Sequence, residues 1–410
     1  MQDYSRKYFK WKRRLGTVLG NSARSIVPLG LNSLISLVVI RYSSFSVWGD
    51  LVSFLLIINL GVQFFGWGSK QYLLREFASN PAKTGSVWFE NLKARFPLLI
   101  FVTLIIMLID IPPEVKTLMI LWQSIMFFSR SFEVLILYTR RMRFFLFLEI
   151  MLSVVFLGAL VFFRDAINVF LILSLFTLNE FIRLVVTAIY FRKLLYFRYT
   201  ISINFKILTA SFVFFILGTI GMLQSRLDLY FVALLLPRNE LAVYQVLINY
   251  ILLIQAATGF IIQPFLKEIY RMNRHSLAIF SFKFTFAGFV IAIPVTVLLT
   301  IVLKYIYGID LSWQMSLLAF IYIVPIFYYT IRVYLLYKFN KESLILISGI
   351  SVLLLSIPLN YYLITMLGLN GALIAGVIGE LLSLLFYFYF EKRVGLVGER
   401  KSIVNQVELN

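Results

Sequence analysis

Apolar residues run through this chain in long blocks, separated by short clusters of charged and turn-forming residues. A helix needs about 20 apolar residues to cross a bilayer. The blocks predict twelve transmembrane helices, over residues 24–41, 47–66, 95–111, 116–138, 144–163, 167–190, 207–235, 241–264, 280–304, 312–336, 343–366 and 371–390. Most blocks are apolar on every face, so periodicity sets their number better than their ends. The block 95–111 is the shortest, and Arg226 and Asp228 interrupt the longest, 207–235. The basic opening MQDYSRKYFKWKRRLG ahead of Ser25–Ile40 has the layout of a secretory signal. Equally apolar segments recur to the end of the chain, so the segment is read as a first membrane helix.

Basic residues supply an independent test of this topology. With the N-terminus placed in the cytoplasm, 27 of the 38 Lys and Arg fall in cytoplasmic segments and 5 in outer ones. That asymmetry follows the positive-inside rule and predicts twelve spans with both termini cytoplasmic. The longest connections, 67–94, 191–206 and 265–279, are cytoplasmic loops in this reading, the outer loops are short, and the tail after Phe390 is a short polar extension.

Composition agrees with the pattern. Apolar residues make up 61% of the 410 residues and charged residues only 14%, against about 25% in a soluble domain. The formal net charge is +19, but the cations lie on one membrane face, where topology and anionic headgroups account for them, so no nucleic-acid partner is expected. The chain has no Cys, which excludes disulfides, thiolate metal sites and cysteine nucleophiles.

The twelve spans divide into two sets of six, and a short-range echo links the sets. Trp48-Gly49-Asp50 opens span two and Leu74-Arg75-Glu76 follows it. Val243-Tyr244-Gln245 opens span eight and Leu266-Lys267-Glu268 follows it. The expected fold is all-α: a polytopic membrane protein with two six-helix lobes related as a parallel pseudo-repeat around a central cavity. The expected divisions are an N-terminal lobe over 1–200, a C-terminal lobe over 201–392 and a tail over 393–410.

No phosphate-binding GxxxxGK[ST] loop, HExxH, GxSxG or acidic metal-ligand cluster occurs, and the single histidine, His275, lies in a cytoplasmic loop. The expectation is a non-enzyme without cofactor, metal or catalytic residues. Chemistry is instead sought in charges inside the spans, which cost about 2.5–3.5 kcal/mol at mid-bilayer and mark function by default. Glu180 and Arg183 share a face of span six, and Arg130 and Glu133 share a face of span four. As self-neutralising pairs these four are equally well structural. Glu149 sits in span five. Arg226 and Asp228 lie two residues apart in span seven and point in different directions. Glu380 has no basic neighbour one turn away, and Arg24 stands below Pro28 and Gly30 at the base of span one. Gly371, Gly376 and Gly379 form a small-residue stripe in span twelve, suited to close helix packing.

Several segments together carry a family resemblance. Arg14-Leu15-Gly16 precedes span one, and Arg41-Tyr42 with Val47-Trp48-Gly49 precedes span two. Arg226-Leu227-Asp228-Leu229-Tyr230 is followed by Glu240-Leu241-Ala242-Val243-Tyr244, and Gly368-Leu369-Asn370-Gly371 opens the last span. The set resembles the polysaccharide repeat-unit (O-antigen-type) flippases of the multidrug/oligosaccharidyl-lipid/polysaccharide exporter superfamily. Two positions depart from that pattern: Asn59 stands where an acid is usual, and Val243 where a glycine is usual.

The resemblance implies a V-shaped carrier in the bacterial cytoplasmic (inner) membrane. It would move an undecaprenyl-diphosphate-linked oligosaccharide from the inner to the outer leaflet by alternating access. Arginine suits a diphosphate because its planar fork matches phosphate oxygens. Arg24, Arg130, Arg183 and Arg226 are accordingly the candidate substrate-binding cations. Glu180, Asp228 and Glu380 are candidates for coupling to H+ or Na+. Expected partners are the lipid-linked substrate, membrane lipids, and a polysaccharide polymerase and chain-length regulator. A drug or cation antiporter of the same superfamily would instead line its cavity with acid. A membrane-embedded glycan polymerase or ligase would need catalytic residues on its outer face.

Overall fold

The structure is a computed structural model, and it describes residues 30–194, 204–262, 266–272, 274–339 and 341–407. Among the described residues there are helices and no strands, as an all-α membrane protein requires, because only a helix satisfies every backbone group within its own segment. Eleven helical stretches are long and apolar enough to cross a membrane, and the shorter apolar helix α1, Gly30–Tyr42, precedes them.

In chain order the helices are α2 (Phe45–Gly66), α3 (Ser69–Ser79), α4 (Thr84–Leu108), α5 (Pro113–Ser131), α6 (Glu133–Tyr138), α7 (Met142–Phe162) and α8 (Val169–Phe191). There follow α9 (Lys206–Leu235), α10 (Arg238–Ile262), α11 (Leu266–Arg271), α12 (Arg274–Tyr307), α13 (Trp313–Lys338), α14 (Glu342–Leu367) and α15 (Leu369–Val407). The start signals are local. Ser44, Asn168 and Ser312 cap α2, α8 and α13 by accepting the N–H of Val47, Leu171 and Met315, and Pro113 opens α5.

Three expectations about the connections are corrected. The stretch 67–94 is not a loop: it holds α3 and the first turns of α4, which begins at Thr84 rather than at residue 95. The stretch 265–279 carries α11 and the start of α12, and α15 continues past Phe390 to Val407. The reason is physical. In α3, for example, Leu73 and Phe77 are buried one turn apart while the polar residues between them are not, so an apolar-run criterion ends before the helix does. The short helices also explain the internal echo. Leu74-Arg75-Glu76 lies in α3, which follows the second span of the first half, and Leu266-Lys267-Glu268 spans the start of α11, which follows the second span of the second half.

The helices cluster into two compact units. One is Leu34–Met222, and the other holds the chain from Leu223 on with Ser33, whose carbonyl accepts the Tyr307 hydroxyl at 2.7 Å. In the first unit α5 packs most extensively, against α8 and α2. In the second, α15 packs against α14 and α13. The small-residue stripe makes this close contact. A Cβ on Gly371 would stand 1.9 Å from the Leu363 carbonyl oxygen of α14, and one on Gly376 would stand 2.3 Å from the Tyr322 ring of α13. Outward faces are apolar, with Phe147, Val155 and Phe162 of α7 and Phe101 and Leu104 of α4 exposed where acyl chains are the solvent.

Candidate functional site

Helix α4 places a cation in its interior where an apolar-run reading puts the edge of a span. Its buried face runs Trp88, Asn91, Leu92, Arg95, Leu99, Val102 and Ile106, a continuous helical spacing. Arg95 is 3% exposed. Its Nε donates to Asn91 Oδ1 at 2.8 Å, Nη1 to the Phe65 carbonyl of α2 at 3.2 Å and Nη2 to Ser131 Oγ of α5 at 2.8 Å. Its guanidinium also lies over the Phe127 ring. No carboxylate lies within 4 Å of Arg95 among the described residues, so dipoles hold its charge without cancelling it.

A second group of charges stands where α5 breaks. Helix α5 ends at Ser131, Phe132 forms the joint, and Glu133 begins α6. Arg130 closes the last turn of one helix and Glu133 opens the next, each at the end its charge favours. Arg130 Nη1 contacts Glu133 Oε1 at 2.6 Å, Arg183 Nη2 of α8 lies 3.7 Å from the same oxygen, and Lys70 Nζ of α3 lies 3.9 Å from Glu133 Oε2. Glu180 stands 3.9 Å from Arg183 and accepts the Ser129 hydroxyl. The predicted residues Arg130, Arg183 and Glu180 are thus brought together within the first unit.

Beside this cluster the first unit contains a cavity of about 380 Å³. Among the described residues Lys70, Arg95 and Arg130 line it against one carboxylate, Glu133, and Asn59, Gln63, Ser69 and Gln71 add neutral polar groups. Arg183 and Glu180 stand behind Glu133 and do not line it. The turn at its base is specific. Trp67 and Gly68 are consecutive left-handed residues (φ 46° and 62°), and a Cβ on Gly68 would stand 2.5 Å from the Phe215 nitrogen of α9. Trp67 stacks on Phe215 and donates its indole N–H to the Leu208 carbonyl at 2.9 Å, locking α9 to the turn.

The second unit holds Arg226, Asp228 and Glu380, each with its own polar partners. Asp228 is buried, with its carboxylate accepting the Tyr244 hydroxyl and the Leu229 N–H at 2.8 Å. These are the aspartate and tyrosine of the two motifs that resembled a family, and here they are direct partners. Arg226 donates to Asn249 Oδ1 at 3.3 Å and makes no ion pair with Asp228. Glu380 accepts from Tyr329 at 2.8 Å and from Gln255 at 3.1 Å, so its partners come from α13 and α10. Tyr322 stands within electrostatic reach of both Asp228 and Glu380. Arg24 lies outside the described residues.

Sequence reading missed Arg95, Lys70 and Gln63 as lining groups. The available signal was the spacing Trp88, Asn91, Leu92, Arg95, which continues into the apolar block and marks one helix face.

No protein-family model matches the chain, and no curated protein matches it by sequence. Solved structures match through their fold. The chain is similar to the lipid II flippase MurJ in its inward closed conformation, with a TM-score of 0.72 at 10% identity, over 92% of this chain and 87% of that one. It is also similar to an inward-facing multidrug resistance MATE family transporter of the MOP superfamily, with a TM-score of 0.62 at 14% identity, over 92% of this chain and 96% of that one. This chain is therefore a multi-pass membrane protein with the helical fold those two transporters share.

Proposed function

We propose that this protein is a flippase that carries an undecaprenyl-diphosphate-linked oligosaccharide from the inner to the outer leaflet of a bacterial inner membrane by alternating access, coupled to an H+ or Na+ gradient. The observation that carries this reading is the charge of the first-unit cavity, lined among the described residues by Lys70, Arg95 and Arg130 against Glu133 alone. A diphosphate crosses hydrocarbon only with its charge compensated, and arginine pairs phosphate oxygens in bidentate fashion. A cavity of about 380 Å³ suits a diphosphate rather than a whole oligosaccharide, leaving the sugars outside it. Of the two solved structures, the one with the higher TM-score is named a lipid II flippase. A multidrug resistance transporter shares the fold, but the cationic lining opposes a cationic substrate. The second-unit carboxylates Asp228 and Glu380, held by tyrosines and an amide, take the ion-coupling role in this reading.

The test is reconstitution of the full chain into liposomes containing a fluorescent lipid-diphosphate oligosaccharide. Protein-dependent leaflet exchange that accelerates under an imposed ion gradient and falls at least tenfold in Arg130→Gln is expected. Exchange equal to that of protein-free liposomes, with and without a gradient, removes the proposal.

A further inference from the structure

A second cavity, of about 710 Å³, opens where α6 gives way to α7 and where α8 ends. Arg141, Arg192 and Lys193 line it, with Thr139 and Tyr190, and no carboxylate does among the described residues. The basic-residue asymmetry places this end of the helices on the cytoplasmic side.

Topology explains why cations lie on this side, but not how these particular ones are arranged. Elsewhere in the first unit Lys70, Arg75, Lys93, Arg130 and Arg183 each stand within 4 Å of a glutamate, while Lys83, Arg95 and Lys206 have no such partner among the described residues and stand apart from one another in the chain. Around this cavity Arg140, Arg141, Arg143, Arg192 and Lys193 have no ion-pair partner among the described residues. The adjacent wall is aromatic: Phe144 stacks on Tyr190 with centroids 5.2 Å apart, and Phe145 stacks on Phe191 at 5.9 Å. Below it Phe147, Met151, Ile189 and Phe181 are exposed on the outward faces of α7 and α8. A ligand that satisfies both features carries an anionic group for the cavity and hydrocarbon for the faces beneath. Arg140 adds a related observation. It stands just past the end of α6 in the left-handed region (φ 56°), where glycine is unstrained and arginine is not, so a cation occupies a position whose backbone would favour glycine.

We propose that the pocket formed by Arg141, Arg192, Lys193 and Tyr190 binds the headgroup of an anionic phospholipid of the cytoplasmic leaflet, whose acyl chains run along the exposed aromatic and aliphatic faces of α7 and α8. Basic pockets between membrane helices on this side bind such headgroups. The site is separate from the first-unit cavity beside Glu133 and shares no described lining residue with it.

The test uses the purified full chain in neutral detergent, with lipid retention read by native mass spectrometry and by the rise in unfolding temperature. Phosphatidylglycerol should be retained over phosphatidylcholine, and inorganic phosphate at the same concentration should not displace it. A cation near a charged headgroup contributes roughly fivefold in affinity, so Arg141→Gln/Arg192→Gln/Lys193→Gln should weaken retention about a hundredfold. The charge-matched control Arg75→Gln/Lys83→Gln/Lys341→Gln should leave it within about twofold. If the first triple variant does not fold, Arg141→Gln alone carries the test with a loss of about fivefold. Equal loss in the two triple variants, or equal retention of the two lipids, overturns the proposal. Displacement by inorganic phosphate assigns the pocket to a soluble anion and likewise overturns it.

Discussion

Among the described residues Glu133 is the single acid lining a cavity with three cations, so its neutralisation separates an anion-binding cavity from a cation-binding one. Glu133→Gln preserves shape and removes one negative charge. The carboxylate stands 2.6 Å from Arg130 and 3.9 Å from Lys70. A phosphate seated on those two cations would lie roughly 6 Å from it, and at an effective dielectric of about 20 each unit charge would be repelled by roughly 3 kcal/mol. The Arg130 and Lys70 side chains are 41% and 52% exposed, so solvent screens much of this. About 1–2 kcal/mol should remain, a roughly fivefold to thirtyfold tightening. The fold should move the other way. Arg130, Arg183 and Lys70 lose a shared partner, and partly exposed pairs of this kind sum to about 1 kcal/mol. Calorimetric titration of the purified protein with a short-chain prenyl diphosphate measures the first effect, and thermal unfolding measures the second. Tighter binding by a less stable protein is the expected signature. Unchanged or weaker diphosphate binding by Glu133→Gln would refute the electrostatic reasoning.

Arg95→Leu removes three hydrogen bonds and leaves the Phe65 carbonyl without its donor. It should destabilise the first unit by about 3 kcal/mol, seen as a lowered unfolding temperature, with Arg95→Lys intermediate. Glu380→Gln keeps an acceptor for Tyr329 but loses its charge. Exchange in liposomes should continue and lose its acceleration by an ion gradient, and a variant that still responds fully to the gradient removes Glu380 from the coupling role. Gly68→Ala puts a side chain in the left-handed region against the Phe215 backbone. Destabilisation of about 1–3 kcal/mol, measured by the same unfolding assay, is expected.

The sequence made the membrane architecture legible because apolar length and the side preference of lysine and arginine act over whole segments. It left α3 and the first turns of α4 unread because they leave the bilayer, where one-sided burial replaces the apolar run as the signal. Arg95 was hidden for the same reason: a residue taken for the edge of a span is in fact at the centre of a contact between three helices. The pairing of Arg130 with Glu133 followed from i, i+3 spacing, but the addition of Arg183 and Lys70 to that pair depends on α8 and α3 meeting at the α5–α6 joint, which no local pattern encodes. Asp228 and Tyr244, sixteen positions apart, were visible as two separate motifs, and only the packing of α9 on α10 makes them one hydrogen bond. Glu380 looked unpartnered on its own helix because both of its partners lie on others.

The central claim is that the first-unit cavity receives the phosphate-bearing part of the substrate. A cryo-electron microscopy structure of the full chain with a lipid-diphosphate oligosaccharide bound measures this directly. The account predicts phosphate density within hydrogen-bonding distance of Arg130 and Lys70, with Arg95 behind them. Density for the headgroup elsewhere, with that cavity holding only water, would contradict it.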